Sequence, residues 1–408
     1  MLHGNAVIGQ SGGPTAAINA SLAGVIRGAL AAECIDKIWG AFNGVEGMLS
    51  GRMCDLRAIL SCEDELELLS HTPAAALGSC RRKLSASGEG EDYERLFKMF
   101  AENNIRYFFY IGGNDSMDTV AKVTSYAEKI GYKLRVMGVP KTIDNDVCGT
   151  DHTPGYGSAA KYIAASVQEI LRDCAVYTVK AVTIVEIMGR DAGWLTAAAG
   201  LPRLRYGIAP DYIYLPERTF DLDSFTTDVM AALERRPNIV IAASEGLRLA
   251  DGTYVGECAQ SGACDAFGHR YLAGTAKVLE QAVKEKIGCK TRSVELNILQ
   301  RCASHIASET DLREASMIGR AAVEFAISGE TGKMMGFERV SDEPYRVAAR
   351  CGDIKKIANL IRKMPDEFIN ADGNNVTDEC LRYIEPLVMG EPKLAYEGGL
   401  PKHFIIPR

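Results

Sequence analysis

Short, wholly apolar runs alternate along this chain with segments of helical period, the pattern of strands crossed over by helices and so of mainly parallel sheets. Asn5 to Gln10 predicts a buried strand, Ser11 to Thr15 a turn, and Ala16 to Ala31 an Ala-rich helix. A second unit predicts a helix at Tyr93 to Asn104, a strand at Arg106 to Ile111 and a helix beginning near Asp115, followed by the apolar run Val136 to Val139. After Gly157 comes a second series: a helix to about Asp173, strand Val182 to Met188, helix Ala192 to Gly200, and strands Tyr212 to Leu215 and Ile239 to Ala243. At roughly 150 residues per domain, a chain of 408 residues predicts two α/β lobes. No low-complexity linker divides them, so the lobes are expected to share strands or exchange segments.

The candidate chemistry lies just beyond the apolar runs, at the carboxyl ends of strands, where open α/β sheets bind ligands. GGNDS (Gly112 to Ser116) and PKTIDND (Pro140 to Asp146) combine glycines, which let backbone N–H groups approach an anion, with the charges of Asp115, Lys141, Asp144 and Asp146. Phosphoryl transfer to an alcohol needs a base beside the acceptor hydroxyl and little covalent help. Asp144 and Asp146 can each serve, and their spacing leaves open which takes the proton. SGGPTAAIN (Ser11 to Asn19) brings Gly13 and a helix N-terminus towards the same end of the sheet, matching neither the P-loop nor the GxGxxG dinucleotide pattern. GSCRRK (Gly78 to Lys83) adds a basic turn containing Arg81. MGRD (Met188 to Asp191) supplies Arg190, SEGLR (Ser244 to Arg248) supplies Glu245, and TRSVELNILQR is read as a strand bracketed by Arg292 and Arg301.

Composition narrows the partners. A net charge of −7 excludes general affinity for nucleic acid or anionic membrane, so phosphate-binding cations must be gathered locally. The twelve cysteines never form CxxC and the six histidines never form HxxxH, which signals neither a zinc site nor a redox pair. With no basic, apolar leader at MLHGNAVIGQSGG and no run of about eighteen apolar residues, a cytoplasmic location is expected.

Taken in order from Ser11 to Arg301, SGGPTAAIN, GSCRRK, GGNDS, PKTIDND, MGR, SEG and TRSVELNILQR resemble the phosphofructokinase family over most of residues 5 to 330. The resemblance implies two Rossmann-like α/β lobes with mainly parallel sheets and the active site in the cleft between them. Residues 1–150 with about 300–350 would form the phosphoryl-donor lobe, and 151–299 with about 351–408 the sugar lobe. It implies Mg²⁺-dependent transfer to the 1-hydroxyl of fructose 6-phosphate. Gly13, Arg81 and the GGNDS loop would bind the donor, Asp144 would be the general base and Asp146 its support. Thr142, Met188, Gly189, Arg190, Glu245, Arg292 and Arg301 would hold the sugar phosphate. ATP-using members typically carry glycine where this chain has Asp115 and Lys141, whereas pyrophosphate-using members carry Asp and Lys. A carboxylate about 4 Å from a nucleotide phosphate costs about 4 kcal/mol at an effective dielectric near 20, and Lys141 attracts a small, highly charged anion. The expected donor is therefore pyrophosphate.

Three departures stand out. Asn114 replaces the aspartate that helps most members hold Mg²⁺, so the metal is expected to be held chiefly by pyrophosphate. Ile298 stands where a His or Tyr usually contacts the sugar phosphate, and Ala181 where tetrameric ATP enzymes have an arginine. A homodimer is expected. The rival readings are an ATP-dependent enzyme, a weak sugar-phosphate-binding paralogue, and a phosphotransferase acting on sedoheptulose 7-phosphate. The tail after about Gly332 carries no readable chemistry.

Overall fold

The computed structural model describes residues 2–60, 62–85, 88–259, 274–357 and 360–407. Among these residues eleven strands carry the two main sheets: β1 Gly4–Gln10, β2 Ile35–Ala41, β3 Met53–Asp55, β4 Ile105–Gly112, β5 Arg135–Pro140, β6 Ala181–Ile187, β7 Tyr212–Tyr214, β8 Asn238–Ser244, β9 Lys290–Glu295, β10 Lys333–Asp342 and β11 Tyr345–Asp353. The first sheet has the order β11-β10-β5-β4-β1-β2-β3. Its five inner strands are parallel, and β3 and β11 pair antiparallel at the two edges. The second sheet, β7-β8-β6-β9, is parallel throughout. These are the expected α/β lobes with mainly parallel sheets.

Side chains alternate across a strand, so each apolar run feeds two cores. Ala6, Ile8, Phe109, Ile111, Met137 and Val139 face one side of the first sheet, under the helices Ile18–Ala31 and Glu309–Ser328. Val7, Phe108, Tyr110 and Val136 face the other, under the helices Glu91–Glu102 and Asn114–Ile130. In the second sheet Val185, Ile187 and Val240 pack towards the helix Tyr156–Cys174, and Ile184, Ile239 and Ile241 towards Leu222–Arg235 and Thr275–Lys286.

The first sheet is completed late in the chain. Helix Glu309–Ser328 lies on Ile18–Ala31 so closely that a Cβ on Gly24 would stand 2.1 Å from Ser316 O, and one on Gly319 2.2 Å from Ser21 O. The same late helix reaches the second lobe, where Asp311 accepts from Gly155 N (2.8 Å) and Ser158 N (2.9 Å) at the start of Tyr156–Cys174. Beyond β11, Met364, Ile369, Leu381 and Ile384 join the core of the second lobe. Residues 351–408 do not all stay there: β11 runs to Asp353 in the first sheet, and Ile406 is buried in the first core, where Phe404 N donates to Thr72 Oγ1 at 2.8 Å.

Two expected elements differ. Ala192 to Gly200 forms two short turns of helix, Trp194–Ala197 and Ala198–Gly200, instead of one. Strand β9 ends at Glu295, because Asn297 takes a left-handed φ of 47°. Arg292 therefore lies within the strand, and Arg301 lies on the helical turn Leu299–Cys302.

Gly24→Ala drives a methyl into the backbone of the facing helix and should lower the free energy of unfolding by roughly 1–3 kcal/mol. Urea titration checks this; an unshifted midpoint would mean the two helices separate without cost.

Candidate active site

Strands β1, β4 and β5 of the first sheet and β6 and β8 of the second all point their carboxyl ends at one cleft of about 440 Å³. The loops that follow them line it: Ser11 to Thr15, Gly113 to Ser116, Lys141 to Asp146 save Asn145, Met188, Arg190 to Ala192, and Glu245, joined by Arg81, Arg301 and Ile361. Arg301 spans the gap, its Nη1 lying 3.8 Å from where a Cβ on Gly13 would stand.

The PKTIDND loop turns both of its candidate aspartates to the cleft. Thr142, Asp144 and Asp146 all line the cleft, Ile143 borders it while packing into the core of one lobe, and Val147 is buried in the core of the other. Asn145 turns inward with a left-handed φ of 54°, and its Oδ1 accepts from Thr153 N at 3.1 Å. At the loop's start, Lys141 N donates to Gly112 O at 3.0 Å and Thr142 N to Pro154 O at 3.1 Å. Thr142 Oγ1 accepts from Asp144 N (3.1 Å) and donates to Asp144 Oδ2 (3.3 Å). Both aspartates face the same space.

Burial dominates the electrostatics. It raises the Asp144 carboxyl, although the Thr142 hydroxyl, Arg190 and Lys141 oppose the shift. It pushes Asp146 up to about 7, with the charge of Asp144 adding to the effect. Glu245 rises to about 8 for the same two reasons. Burial lowers the Lys141 ammonium to about 8, against the pull of Asp144 and Asp146. That ammonium lies over the first glycine loop, 3.0 Å from where a Cβ on Gly12 would be.

The remaining expected residues divide. Gly189 does not line the cleft; it holds a residue that does, its N–H donating to Glu245 Oε1 at 3.2 Å, while Ser244 Oγ donates to Gly189 O at 2.7 Å. Its φ of 126° and the Ala192 carbonyl, 2.6 Å from any Cβ there, admit only glycine. Arg292 is exposed on β9 and is not brought to the cleft of its own chain. Its strand position projects it into solvent, which the reading of a strand bracketed by two arginines did not foresee. Of the basic turn, Arg81 reaches the cleft, and Arg82 instead pairs with Asp92 at 2.9 Å.

Three features escaped the sequence. Lys83 Nζ stands 3.0 Å from Asp115 Oδ1, so the carboxylate in GGNDS enters the cleft already paired. Asp191 also lines the cleft while bonding Arg248 Nη2 at 2.7 Å. These two sit inside motifs already singled out, but a contact across more than thirty residues leaves no local signal. Ile361 arrives from the tail with none at all.

No group of three His, Cys, Asp or Glu among the described residues could hold a metal. Asn114 nevertheless presents a buried Oδ1 that accepts no hydrogen bond, and its Nδ2 lies 3.5 Å from Asp146 Oδ2. An orphaned amide oxygen beside a carboxylate fits a hard cation that takes oxygen ligands.

Residues 5–326 match the family described as Phosphofructokinase. A pyrophosphate–fructose 6-phosphate 1-phosphotransferase of Xanthomonas campestris is 44% identical over 99% of this chain and 96% of its own length. The protein of the same name from Halomonas elongata is 42% identical, covering 98% and 96%. The crystal structure of a pyrophosphate-dependent phosphofructokinase from Nitrosospira multiformis superposes with a TM-score of 0.87 at 38% identity, covering 99% of this chain and 98% of that one. Five strand ends converging on a cleft with paired carboxylates and a buried lysine, and likeness over nearly the whole length, place this chain in the phosphofructokinase family.

Proposed function

We propose that the protein reversibly transfers a phosphoryl group from pyrophosphate to the 1-hydroxyl of fructose 6-phosphate, giving fructose 1,6-bisphosphate and phosphate. The observation that carries this reading is the buried Lys141 ammonium, set between the glycine loop at Gly12 and the carboxylates of Asp144 and Asp146. A compact cation there suits a small donor whose charge is concentrated in two phosphates. Residues 1–150 with about 300–350 bind the donor through Gly13, Arg81 and the GGNDS loop, and 151–299 with most of the tail bind the sugar.

In this reading the proton of the acceptor hydroxyl passes to the Asp144 carboxylate as the oxygen attacks phosphorus. Asp146 keeps negative potential beside the base, and Lys141 neutralises charge on the transferred group. Mg²⁺ would be held by Asn114 and Asp146 together with pyrophosphate oxygens, and when bound it supplies charge neutralisation to the phosphates. Thr142, Met188, Arg190, Glu245 and Arg301 hold fructose 6-phosphate, with Gly189 acting through Glu245. Arg292 can serve only the cleft of a second copy, in a homodimer. The enzyme would act in the cytoplasm.

Donor choice rests on space more than on charge. A bare carboxylate at Asp115 would repel pyrophosphate as well as ATP. Lys83 at 3.0 Å offsets that repulsion, and in this reading the Asp115 side chain, which lines the cleft, leaves less room for a nucleotide than for pyrophosphate.

With fructose 6-phosphate, pyrophosphate should support turnover and ATP should give a far lower kcat/KM. Strong turnover with ATP and none with pyrophosphate would sink the reading. Asp144→Asn should lower kcat by about 10²–10⁴-fold while the KM for fructose 6-phosphate changes little, measured by steady-state kinetics.

The pH dependence follows from the shifts. A carboxyl raised by burial is ionised only above its new value, so kcat/KM should rise with pH as the Asp144–Asp146 pair ionises, Asp146 being near 7. Lys141, lowered to about 8, loses its charge as pH climbs through that value, so the profile should then fall. A bell-shaped profile in wild type that loses its alkaline limb in Lys141→Met checks both signs.

A further inference from the structure

Residues 361–364, beyond the last strand of the first sheet, are stitched to both catalytic loops. Val147 bridges Ile361 antiparallel, and Arg362 N donates to Asp146 O at 2.7 Å. On the other side, Trp194 Nε1 donates to Arg362 O at 3.2 Å, and Glu217 Oε1 accepts from both Gly193 N (2.9 Å) and Met364 N (3.1 Å). One short stretch of tail thus joins PKTIDND to the loop that follows MGR.

Tyr383, on the helix Asp378–Ile384, closes this stitch. Its hydroxyl donates to Asp151 O at 2.7 Å and accepts from Asn145 Nδ2 (3.2 Å) and Arg362 Nη2 (3.2 Å), which uses the full capacity of a phenol. The ring is fixed by Arg339 at 4.5 Å and by the rings of Trp194 at 5.3 Å and Phe368 at 5.8 Å. Asn145 stands between the two cleft-facing aspartates in a left-handed conformation, its side chain held at Oδ1 by Thr153 N and at Nδ2 by the Tyr383 hydroxyl.

We infer that Tyr383 is a positioning residue for the transfer reaction, acting through Asn145 to hold Asp144 and Asp146 on the same face of their loop. The inference rests on the proposed phosphoryl transfer for its kinetic consequence, though not for its structural one. Tyr383 touches no substrate in this scheme, since it lies behind the loop and does not line the cleft. Without the hydroxyl, Asn145 Nδ2 and Arg362 Nη2 lose an acceptor in a buried setting, and the loop gains room to move. Misplacement of a reacting group by about 1 Å costs about 10²-fold, so a partial loosening should cost about tenfold.

The test compares Tyr383→Phe with Tyr345→Phe, which removes a second partly buried hydroxyl from the neighbouring network, where Tyr345 OH contacts Glu314 Oε2 at 3.3 Å without reaching the loop. Both are assayed for kcat and KM with pyrophosphate and fructose 6-phosphate, and for amide hydrogen exchange over residues 141–147. Tyr383→Phe should lower kcat about tenfold with both KM values within about twofold, and should speed exchange in the loop; Tyr345→Phe should do neither. Equal effects of the two variants, or unchanged kcat and exchange in Tyr383→Phe, overturn the inference. A wild type that does not turn over pyrophosphate would refute the proposed reaction instead, and the exchange comparison would still decide the role of Tyr383.

Discussion

Two carboxylates, two residues apart, face one half-buried space, and the rest of the cleft is arranged around the repulsion between them. Burial makes both harder to ionise, and the charge of Asp144 adds to the effect on Asp146, which rises to about 7. A free loop would relieve the strain by turning one side chain to solvent. Here the side chains that alternate with them are committed to the interior: Ile143 to one core, Asn145 to a hydrogen-bond pair, Val147 to the other core. The alternation of the loop is fixed by what is buried behind it. Lys141, itself lowered by burial, supplies the nearby positive charge.

The same economy of charge applies on the donor side. An acidic protein that handles anions must keep its own carboxylates from spoiling the site, and it does so by local pairing: Lys83 with Asp115, Arg248 with Asp191. Each such pair removes a net charge while leaving bulk and hydrogen-bonding capacity in place. The walls of the cleft can therefore be specific in shape without a strong net negative field.

Much of this was legible in the chain because its signals are local. Apolar runs of strand length, each followed by glycine, charge or both, located five loops that do meet in space. The failures are equally specific. Alternation from Arg292 onward looked like continued strand, because nothing in the string reveals that Asn297 adopts a left-handed φ and ends the pattern. The pairing of Lys83 with Asp115, and the arrival of Ile361 and Tyr383 at the back of the loop, depend on contacts between distant segments. Strands β10 and β11 pass half their length at a solvent-facing edge, so their apolar signal is weak. A tail whose task is to brace other loops carries no motif of its own.

The late completion of the first sheet bears on how the chain is made. Strand β5 has no neighbour on its outer side until β10 pairs with it, and helix Ile18–Ala31 stays uncovered until Glu309–Ser328 exists. During synthesis the amino-terminal lobe must therefore wait, with an open strand edge and an apolar helix face, for nearly two hundred residues of the other lobe to leave the ribosome. Exposed edges of that kind invite pairing with other chains. By that reasoning the state of this protein most open to such pairing is the unfinished nascent chain.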